Sequence, residues 1–203
     1  MTYLSHANYL VVPCATSESW EYLPICFTNK IDAGNYWSIL PESHLYQFGI
    51  LNSSMHMSWI KCVSGKLQCY DGIHHNPTIK NFPWPISHTQ AHIVDIEAKA
   101  LAVLQVRAQY PTISLTEMYH PATMPLDLRH AHSELDQAVD AAYGYNNLDS
   151  DESRIGFLLG FHHKIASLLV SLSDMPSIWA ETADYPEITT RKLTAGASVN
   201  ASF

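Results

Sequence analysis

A regular apolar stripe in the second half of the chain dictates one long helix with a single buried face. Leucine and alanine recur there three or four residues apart, at Leu128, Ala131, Leu135, Ala138 and Ala142. This spacing places the five side chains on one side of an α-helix. Pro125 suits the first turn and Gly144 suits the end, so both boundaries are predicted. Such a helix needs a second layer to cover its stripe.

Two more helices are predicted around this one. The first runs through Ile93, Ile96, Ala100 and Leu104, with Ser87 and Gln90 as a capping box before it and Tyr110-Pro111 after it. The second starts near Ser150 and Asp151 and has an inward face of Ile155, Leu158, Leu159, His162, Ile165 and Leu169. Glu134, Asp136 and Asp140 are expected on a solvated outer face of the middle helix.

The chain has a different character before Ser87. YLVVP, YLPICF and YWSIL read as short strands separated by turn residues. In ILNSSMHMSWIKCVSG, apolar residues recur at helical spacing and Gly65 follows, so one embedded helix is predicted. The fold class is therefore α+β. A partial β-rich domain is expected over residues 1–87, a helical C-terminal domain over 88–173 and an irregular tail over 174–203.

The charge is unevenly distributed between these two parts. Of the eleven Lys and Arg, four precede Ser87, as do five of the nineteen Asp and Glu, so the front part carries −1 and the rest −7. Any surface for DNA is therefore expected in the front part. No apolar run is long enough to cross a membrane and the N-terminus lacks a signal-like core, which favours a cytoplasmic protein.

NFPWP, residues 81–85, resembles the Asn-Pro-Pro-aromatic tetrapeptide of amino-group DNA methyltransferases. That tetrapeptide needs proline where this chain has Phe82, and a site for S-adenosylmethionine needs a Gly-rich turn, whereas no G-x-G occurs here. We therefore interpret NFPWP as structural. Its prolines stiffen the entry to the following helix, and Phe82 and Trp84 pack beneath it.

Other catalytic chemistry finds no support in the sequence. The twelve histidines include no H-E-x-x-H, and His130 and His132 point about 200° apart on a helix, so surface or supporting histidines are expected rather than a metal site. The four cysteines form no C-x-x-C pair and are predicted to be reduced and mostly buried. No G-x-S-x-G is present, and no catalytic residue is predicted.

A polar segment, Gly65–Asn81, has the residue types that contact DNA. Lysine, glutamine and asparagine side chains read phosphates and base edges. Asp71-Gly72 is a turn dipeptide that would present its neighbours at a tip. The alternative is an ordinary polar hairpin. The candidate DNA-binding residues are Lys61, Lys66, Gln68, Tyr70, Asp71, His74, His75, Asn76 and Lys80.

Several long stretches resemble, in order, the C-terminal part of the MmeI-like family of type IIG (type IIL) restriction–modification DNA methyltransferases. They are YLVVPCATSESWEYLPICF, LYQFGILNSSMHMSWIKCVSGKL, NFPWP, LTEMYHPATMPLDLRHAHSELDQAVDAAYGY and SDESRIGFLLGFHHKI. The resemblance covers about residues 8–166 and departs beyond Ser167. It also departs at Gly72-Ile73-His74, where the family usually has R-Y-S, so an arginine that suits guanine or phosphate is replaced.

The resemblance implies a target-recognition domain that lies in the major groove of double-stranded DNA, followed by a helical spacer. Its base-reading positions correspond to Lys66, Gln68, Tyr70, Asp71, His74 and Lys80. It also implies that adenine-N6 methylation and S-adenosylmethionine binding belong to a missing methyltransferase domain, so this chain is expected to be a fragment without catalysis or a cofactor of its own. The alternative is an interaction or structural remnant that docks on a separate methyltransferase chain without binding DNA.

Overall fold

The computed structural model describes residues 9–13, 15–16, 19–29, 37–41, 43–63, 73–74, 79, 81–86, 88–146 and 151–173. The strands within them are β1 Tyr9–Pro13, β2 Ala15–Thr16, β3 Cys26–Thr28, β4 Trp37–Leu40 and β5 Ile73–His74. The helices are α1 Leu45–Leu51, α2 Ser54–Val63, α3 Gln90–Arg107, α4 Leu115–Met118, α5 Leu126–Tyr143 and α6 Asp151–Ser173. The fold is α+β, as the sequence predicts. None of these helices is long and apolar enough to cross a membrane.

The front part contains a three-stranded antiparallel sheet with β1 in the centre. Leu10 lies opposite Phe27 of β3 on one side and Leu40 of β4 on the other. The strands predicted in YLVVP and YWSIL are confirmed. In YLPICF only the end of the run forms β3, because Pro24 has no N–H for a ladder and the Ile25 N–H donates to Leu23 O (2.9 Å) instead.

The embedded helix is present but divided, which corrects the prediction of one continuous helix. α1 ends at Leu51, and Ser53 turns the chain by donating from its hydroxyl to Ile50 O (2.7 Å). α2 then begins at Ser54. Asn52 and Ser53 are both buried at this break. The break points the Asn52 amide toward Arg107 of the helical part, and this contact cannot be detected in local periodicity.

The helical part follows the predicted pattern with one correction at its start. α3 begins at Gln90, and the Thr89 hydroxyl caps it by accepting from His92 N (3.4 Å), so the predicted Ser87–Gln90 box is wrong. Ser87 lies outside the described residues. The stripe of α5 is buried along its whole length. Gly144 ends α5 with φ +67°, and Tyr145 N donates back to Asp140 O (2.8 Å), a Schellman arrangement.

The third predicted helix is confirmed as α6, but its buried face is rotated. Leu158 is fully buried, whereas Leu159 and His162 are exposed. The aromatic rings of Phe157 and Phe161 pack on Tyr143 at the end of α5, and this contact decides which side of α6 faces inward. The side chain of Leu169 lies outside the described residues.

Both parts of the chain contribute to one continuous core. Buried side chains from Leu10 in β1 to Leu158 in α6 form a single cluster. α3 packs along α5, α1 packs on α3, and α2 packs on α6. Gly49 lets α1 approach closely, because a Cβ at this position would lie 2.7 Å from Ile96 Cγ2 and 3.3 Å from Leu135 Cδ1. We call the contact surface between residues 9–86 and residues 88–173 the seam.

Candidate nucleic-acid interface

Most of the predicted DNA-binding residues lie outside the part of the chain that the structure describes. These are Lys66, Gln68, Tyr70, Asp71, His75, Asn76 and Lys80. For His74 the structure describes the backbone, which belongs to β5 and pairs antiparallel with β2: His74 lies opposite Ala15, and Ile73 opposite Thr16. The polar segment therefore includes a short strand that is joined to the front part of the chain. The assignment of base contacts to these side chains stays a prediction.

Lys61 lies in the last turn of α2, just before the polar segment, and forms an ion pair across the seam. Its Nζ is 3.1 Å from Asp151 Oδ2 at the start of α6, and Ser58 Oγ donates to Asp151 Oδ1 (3.0 Å). Burial alone would raise the pKa of Asp151, but the hydrogen bond and charge of Lys61 lower it below its ordinary value. With 32% of the lysine and 50% of the aspartate side chain exposed, the pair is a weak one, and Lys61 remains reachable from solvent.

NFPWP lies after the polar segment and is structural, as predicted. Phe82 is buried, and its ring packs edge-on against His56 (4.8 Å between centroids), Trp59 (6.3 Å) and Trp84 (5.7 Å). Burial lowers the pKa of His56 to about 4, so this imidazole is neutral and its Nδ1 donates to Leu51 O (2.7 Å). The rings thus form a buried packing cluster rather than a base-stacking pocket.

The ring cluster around Phe82 also contacts the helical part. Tyr143, the last residue of α5, donates a hydrogen bond from its hydroxyl to Pro83 O (2.8 Å), and its ring lies 6.4 Å from that of Phe82. Both Tyr143 and Pro83 are buried. Desolvation by burial raises the pKa of Tyr143 well above its ordinary value, so the hydroxyl keeps its proton and acts as a donor.

The acidic residues of α5 that the sequence placed on an outer face bind other elements, which corrects that expectation, and Asp136 does so across the seam. Asp136 Oδ1 accepts from Ser54 N (2.7 Å), and Oδ2 accepts from the Tyr22 hydroxyl (2.8 Å). Asp140 is buried and pairs with Arg154 of α6 (2.8 Å). Glu134 is partly exposed and pairs with Lys99 (2.8 Å). Asp136 therefore joins the two parts of the chain and Asp140 joins α5 to α6, whereas Glu134 keeps a partly exposed position.

A buried arginine crosses the seam as well. Arg107 donates from Nε to the Tyr119 hydroxyl (2.7 Å) and from Nη1 to Ile25 O (2.6 Å). With the Asn52 amide turned to match its surroundings, its oxygen accepts from Arg107 (2.7 Å) and its nitrogen donates to Leu23 O (2.6 Å). The guanidinium also lies over the Phe48 ring, 5.1 Å from its centroid. A guanidinium with this many fixed partners holds geometry rather than binding an external anion.

Of the surface or supporting roles expected for the histidines, His56 and His132 have a supporting one, because both are buried within the fold. The His132 ring is fully buried, stacks on Tyr22 at 4.1 Å and shares a hydrogen bond with the Tyr119 hydroxyl (2.7 Å). Burial, and then the charge of Arg107, lower its pKa well below the ordinary value. Within the described ranges, no three His, Cys, Asp or Glu side chains are placed to hold a metal ion. Cys26 and Cys62 are free, half-buried thiols.

Sequence reasoning missed Arg107, Tyr119, His132 and Asp136 as seam residues. One signal was available for part of this set. His132, Asp136 and Asp140 follow each other four residues apart, so they form a polar line beside the apolar stripe of α5. Polar residues on the helix face next to a buried apolar stripe are expected to form hydrogen bonds with the element that packs over the stripe. Arg107 has no comparable signal, because its partners are distant in sequence.

The comparisons with known proteins agree with this architecture. Residues 2–86 match the family described as "MmeI, target recognition domain", and residues 88–170 match "MmeI, C-terminal domain". A curated relative, DNA methyltransferase A of Bacillus subtilis (strain 168), is 33% identical over 160 residues, which are 78% of this chain and 18% of the relative.

A solved structure of the type IIL restriction–modification enzyme MmeI in complex with DNA is similar to this fold. Its TM-score is 0.73 at 33% identity, and the match covers 82% of this chain and 22% of that one. The chain thus spans about a fifth of each of these two larger proteins.

Proposed function

The chain belongs to the MmeI family, of which it contains a target recognition domain and the C-terminal domain that follows, and from this we propose that it recognises a DNA sequence for an adenine-N6-specific methyltransferase. The match of residues 2–86 to a target recognition domain carries this proposal. The similarity to a structure of MmeI with DNA supports it. The helical part serves as a spacer and support, and the chain supplies no catalytic group.

The charge distribution indicates which surface faces the duplex. The part before Ser87 is nearly neutral, whereas the helical part is strongly acidic and repels phosphate. We propose that Lys61, Lys66 and Lys80 contact phosphates and that residues 68–76 face the base edges in the major groove. Because the Lys61–Asp151 pair is exposed, Lys61 can turn to a phosphate at little cost, while Ser58 keeps its own hydrogen bond to Asp151.

The chemistry is proposed to take place elsewhere. S-adenosylmethionine would be held by a methyltransferase domain outside residues 2–170, in a longer polypeptide or in a partner chain. The adenine would be flipped into that domain, because an enzyme that modifies a base has to remove it from the stack. This chain then determines where on the duplex the flip occurs.

Salt-dependent duplex binding tests the proposal. Three phosphate contacts predict a slope of roughly −3 in log affinity against log salt, and Lys66→Met with Lys80→Met should reduce it to roughly −1. The matched control is Lys99→Met with Lys164→Met, which removes the same charge from the helical part and should leave the slope unchanged. Equal slopes for both double variants, or no binding at micromolar protein, would contradict the proposal.

The acidic helical part favours one alternative, a docking module for a methyltransferase that does not itself touch DNA. Mixing the chain with a separately produced methyltransferase domain separates the two functions. A docking module would restore methylation equally well with wild-type chain and with the Lys66/Lys80 double variant. A recognition module would restore methylation only when those lysines are present.

A further inference from the structure

We propose that the helical C-terminal domain positions the polar segment by holding both of its ends, with Tyr143 and Asp151 as the positioning residues. This inference deepens the proposed function and rests on it. It gives the helical part a role beyond that of a spacer, since it would determine how sharply DNA sequence is read. Neither residue is assigned a contact with DNA.

The end of α2, where the chain enters the polar segment, is held by α6. Asp151 accepts from Ser58 Oγ and from Lys61 Nζ, at 3.0 and 3.1 Å. Trp59 between them is nearly fully buried, and its ring lies 5.5 Å from that of His162. One turn of α2 is thereby held against the stretch of α6 that runs from Asp151 to His162.

The other end of the polar segment is held by α5. Directly after Asn81, Phe82 is buried in the ring cluster. One residue later, the Pro83 carbonyl accepts the hydrogen bond of the Tyr143 hydroxyl. Tyr143 is itself supported by Phe157 and Phe161, whose rings lie 6.4 and 5.7 Å away. A backbone carbonyl is thus fixed two residues beyond the segment by a side chain of the helical domain.

The two ends are also fixed to each other. The Phe82 ring lies 4.8 Å from that of His56 and 6.3 Å from that of Trp59, both of which belong to α2. A loop whose ends are held at a fixed separation samples fewer conformations than one with free ends. Side chains presented by such a loop reach a base edge with a smaller loss of entropy on binding. The precision of the readout therefore depends on residues far from the duplex.

Tyr143→Phe is the sharpest test, because it removes one hydroxyl and preserves the ring packing. Tyr110→Phe is the matched control, since it removes an exposed hydroxyl that donates to Asp127 (2.9 Å), a hydrogen bond made entirely within the helical domain. Asp151→Asn tests the other end at an exposed site, with Glu134→Gln as its control, because that change weakens the exposed pair with Lys99. These exposed variants keep the test decisive if Tyr143→Phe folds poorly.

Two measurements distinguish positioning from general stability. The first is amide hydrogen exchange of peptides from residues 65–81 in the free chain. Loss of one buried hydrogen bond in Tyr143→Phe should raise the amide exchange rate of these peptides about tenfold. Asp151→Asn should also raise the exchange rate of the same peptides. The controls Tyr110→Phe and Glu134→Gln should leave it unchanged. The second is selection from a duplex pool with randomised positions, in which Tyr143→Phe should enrich sequences less sharply at an unchanged salt slope.

Each outcome decides the proposal. The proposal is overturned if the exchange rates of residues 65–81 are the same in the two test variants as in their controls. It is also overturned if these peptides of the wild type exchange completely within the shortest labelling time. A wild type that enriches no sequence would contradict the proposed function, and the exchange measurement would still decide whether the helical domain positions the segment. If Tyr143→Phe raises the exchange rate of the segment but enriches DNA sequences as sharply as the wild type, positioning of the segment does not affect DNA recognition.

Discussion

Asp136 is a carboxylate that accepts two hydrogen bonds across the seam instead of facing solvent. Burial raises its pKa to about 6, although the bonds from Ser54 and Tyr22 oppose this rise. In the unfolded chain an aspartate titrates near 4. Between these two values the folded state binds more protons than the unfolded state, so this residue's contribution to stability is lost as pH rises through about 6.

Asp136→Asn should therefore change stability in a pH-dependent way. Asparagine keeps an oxygen for Ser54 N, can donate to the Tyr22 oxygen, and never ionises. Relative to wild type, the variant should gain up to about 3 kcal/mol in free energy of unfolding between pH 4 and pH 7. Urea unfolding of both proteins at several pH values measures this difference.

Asp151→Asn provides a comparison of opposite sign. Although burial opposes it, Lys61 lowers the pKa of Asp151, so the stability from this carboxylate is present at neutral pH and is lost as pH falls through the folded pKa. The asparagine variant should thus be less stable than wild type at pH 7 and should approach it in acid. A stability difference for Asp136→Asn that is flat in pH would contradict the burial of this carboxylate.

For individual residues, the sequence predicted those packing roles that depend on nearby residues along the chain. The packing role of Phe82 and Trp84 followed from prolines and a helix start close by. The burial of Asp136 did not, because its partner Tyr22 lies 114 residues earlier in the chain. The spacing of apolar residues identifies the buried face of α5. It does not reveal that the front part of the chain also covers the adjacent face, where Asp136 lies.

The close approach of α1 to α3 depends on Gly49. Glycine weakens a helix because its backbone loses more freedom on folding. At this position the loss is offset by packing, since a methyl group would meet Ile96 Cγ2 at 2.7 Å and Ala100 Cβ at 3.4 Å. Ile96 is β-branched and buried, so it has little freedom to move aside.

Gly49→Ala should destabilise the protein by about 1–2 kcal/mol, because the strain of overpacking exceeds the gain in helix propensity. Gly156→Ala in α6 is the matched control. It is also a helical glycine, but nothing lies within 4 Å of its added Cβ, so stability should rise by about 0.5–1 kcal/mol. Thermal unfolding of the two variants measures both signs. A rise for Gly49→Ala would show that α1 and α3 are not closely packed.

The existence of helices was predictable from periodicity, whereas their ends and faces were less so. The α5 stripe and the Gly144 end were identified correctly because each depends on a few adjacent residues. The division of α1 from α2 and the rotation of α6 depend on tertiary partners, such as Arg107 for Asn52 and Tyr143 for Phe161. Those partners outweigh a local preference that is worth only tenths of a kcal/mol per residue.

For the molecule as a whole, the shared core predicts one cooperative unfolding transition. Four of the five tryptophans precede Ser87, whereas most of the helical residues follow it. Tryptophan fluorescence therefore reports mainly on the front part and far-UV circular dichroism mainly on the helical part. Because both parts bury side chains in one cluster, their urea midpoints should coincide.

A matched pair of variants extends this test. Gly49→Ala should move both midpoints together, since Gly49 faces Ile96 and Leu135 across the seam. Gly156→Ala should move them together in the opposite direction. Separate midpoints for the two signals would mean that the two parts unfold independently.

The function could be inferred from the sequence only through family resemblance. Nothing in the spacing of Lys66, Gln68 or Lys80 distinguishes a base-reading loop from a polar hairpin, because both use the same residue types. Long ordered matches identified the recognition and C-terminal domains. Which of these side chains reads a base stays a prediction.

The seam also sets a rule for building chimeras between relatives. A graft of residues 1–87 alone would bring foreign side chains to Asp136 and Arg107, whose native partners in the front part are the Tyr22 hydroxyl and the Asn52 amide. A graft limited to the interval between Lys61 and Phe82 would leave all of these pairings native. Under the proposed function, new specificities should therefore transfer as short inserts on an unchanged frame, and whole-domain transplants should require compensating changes on α3 and α5.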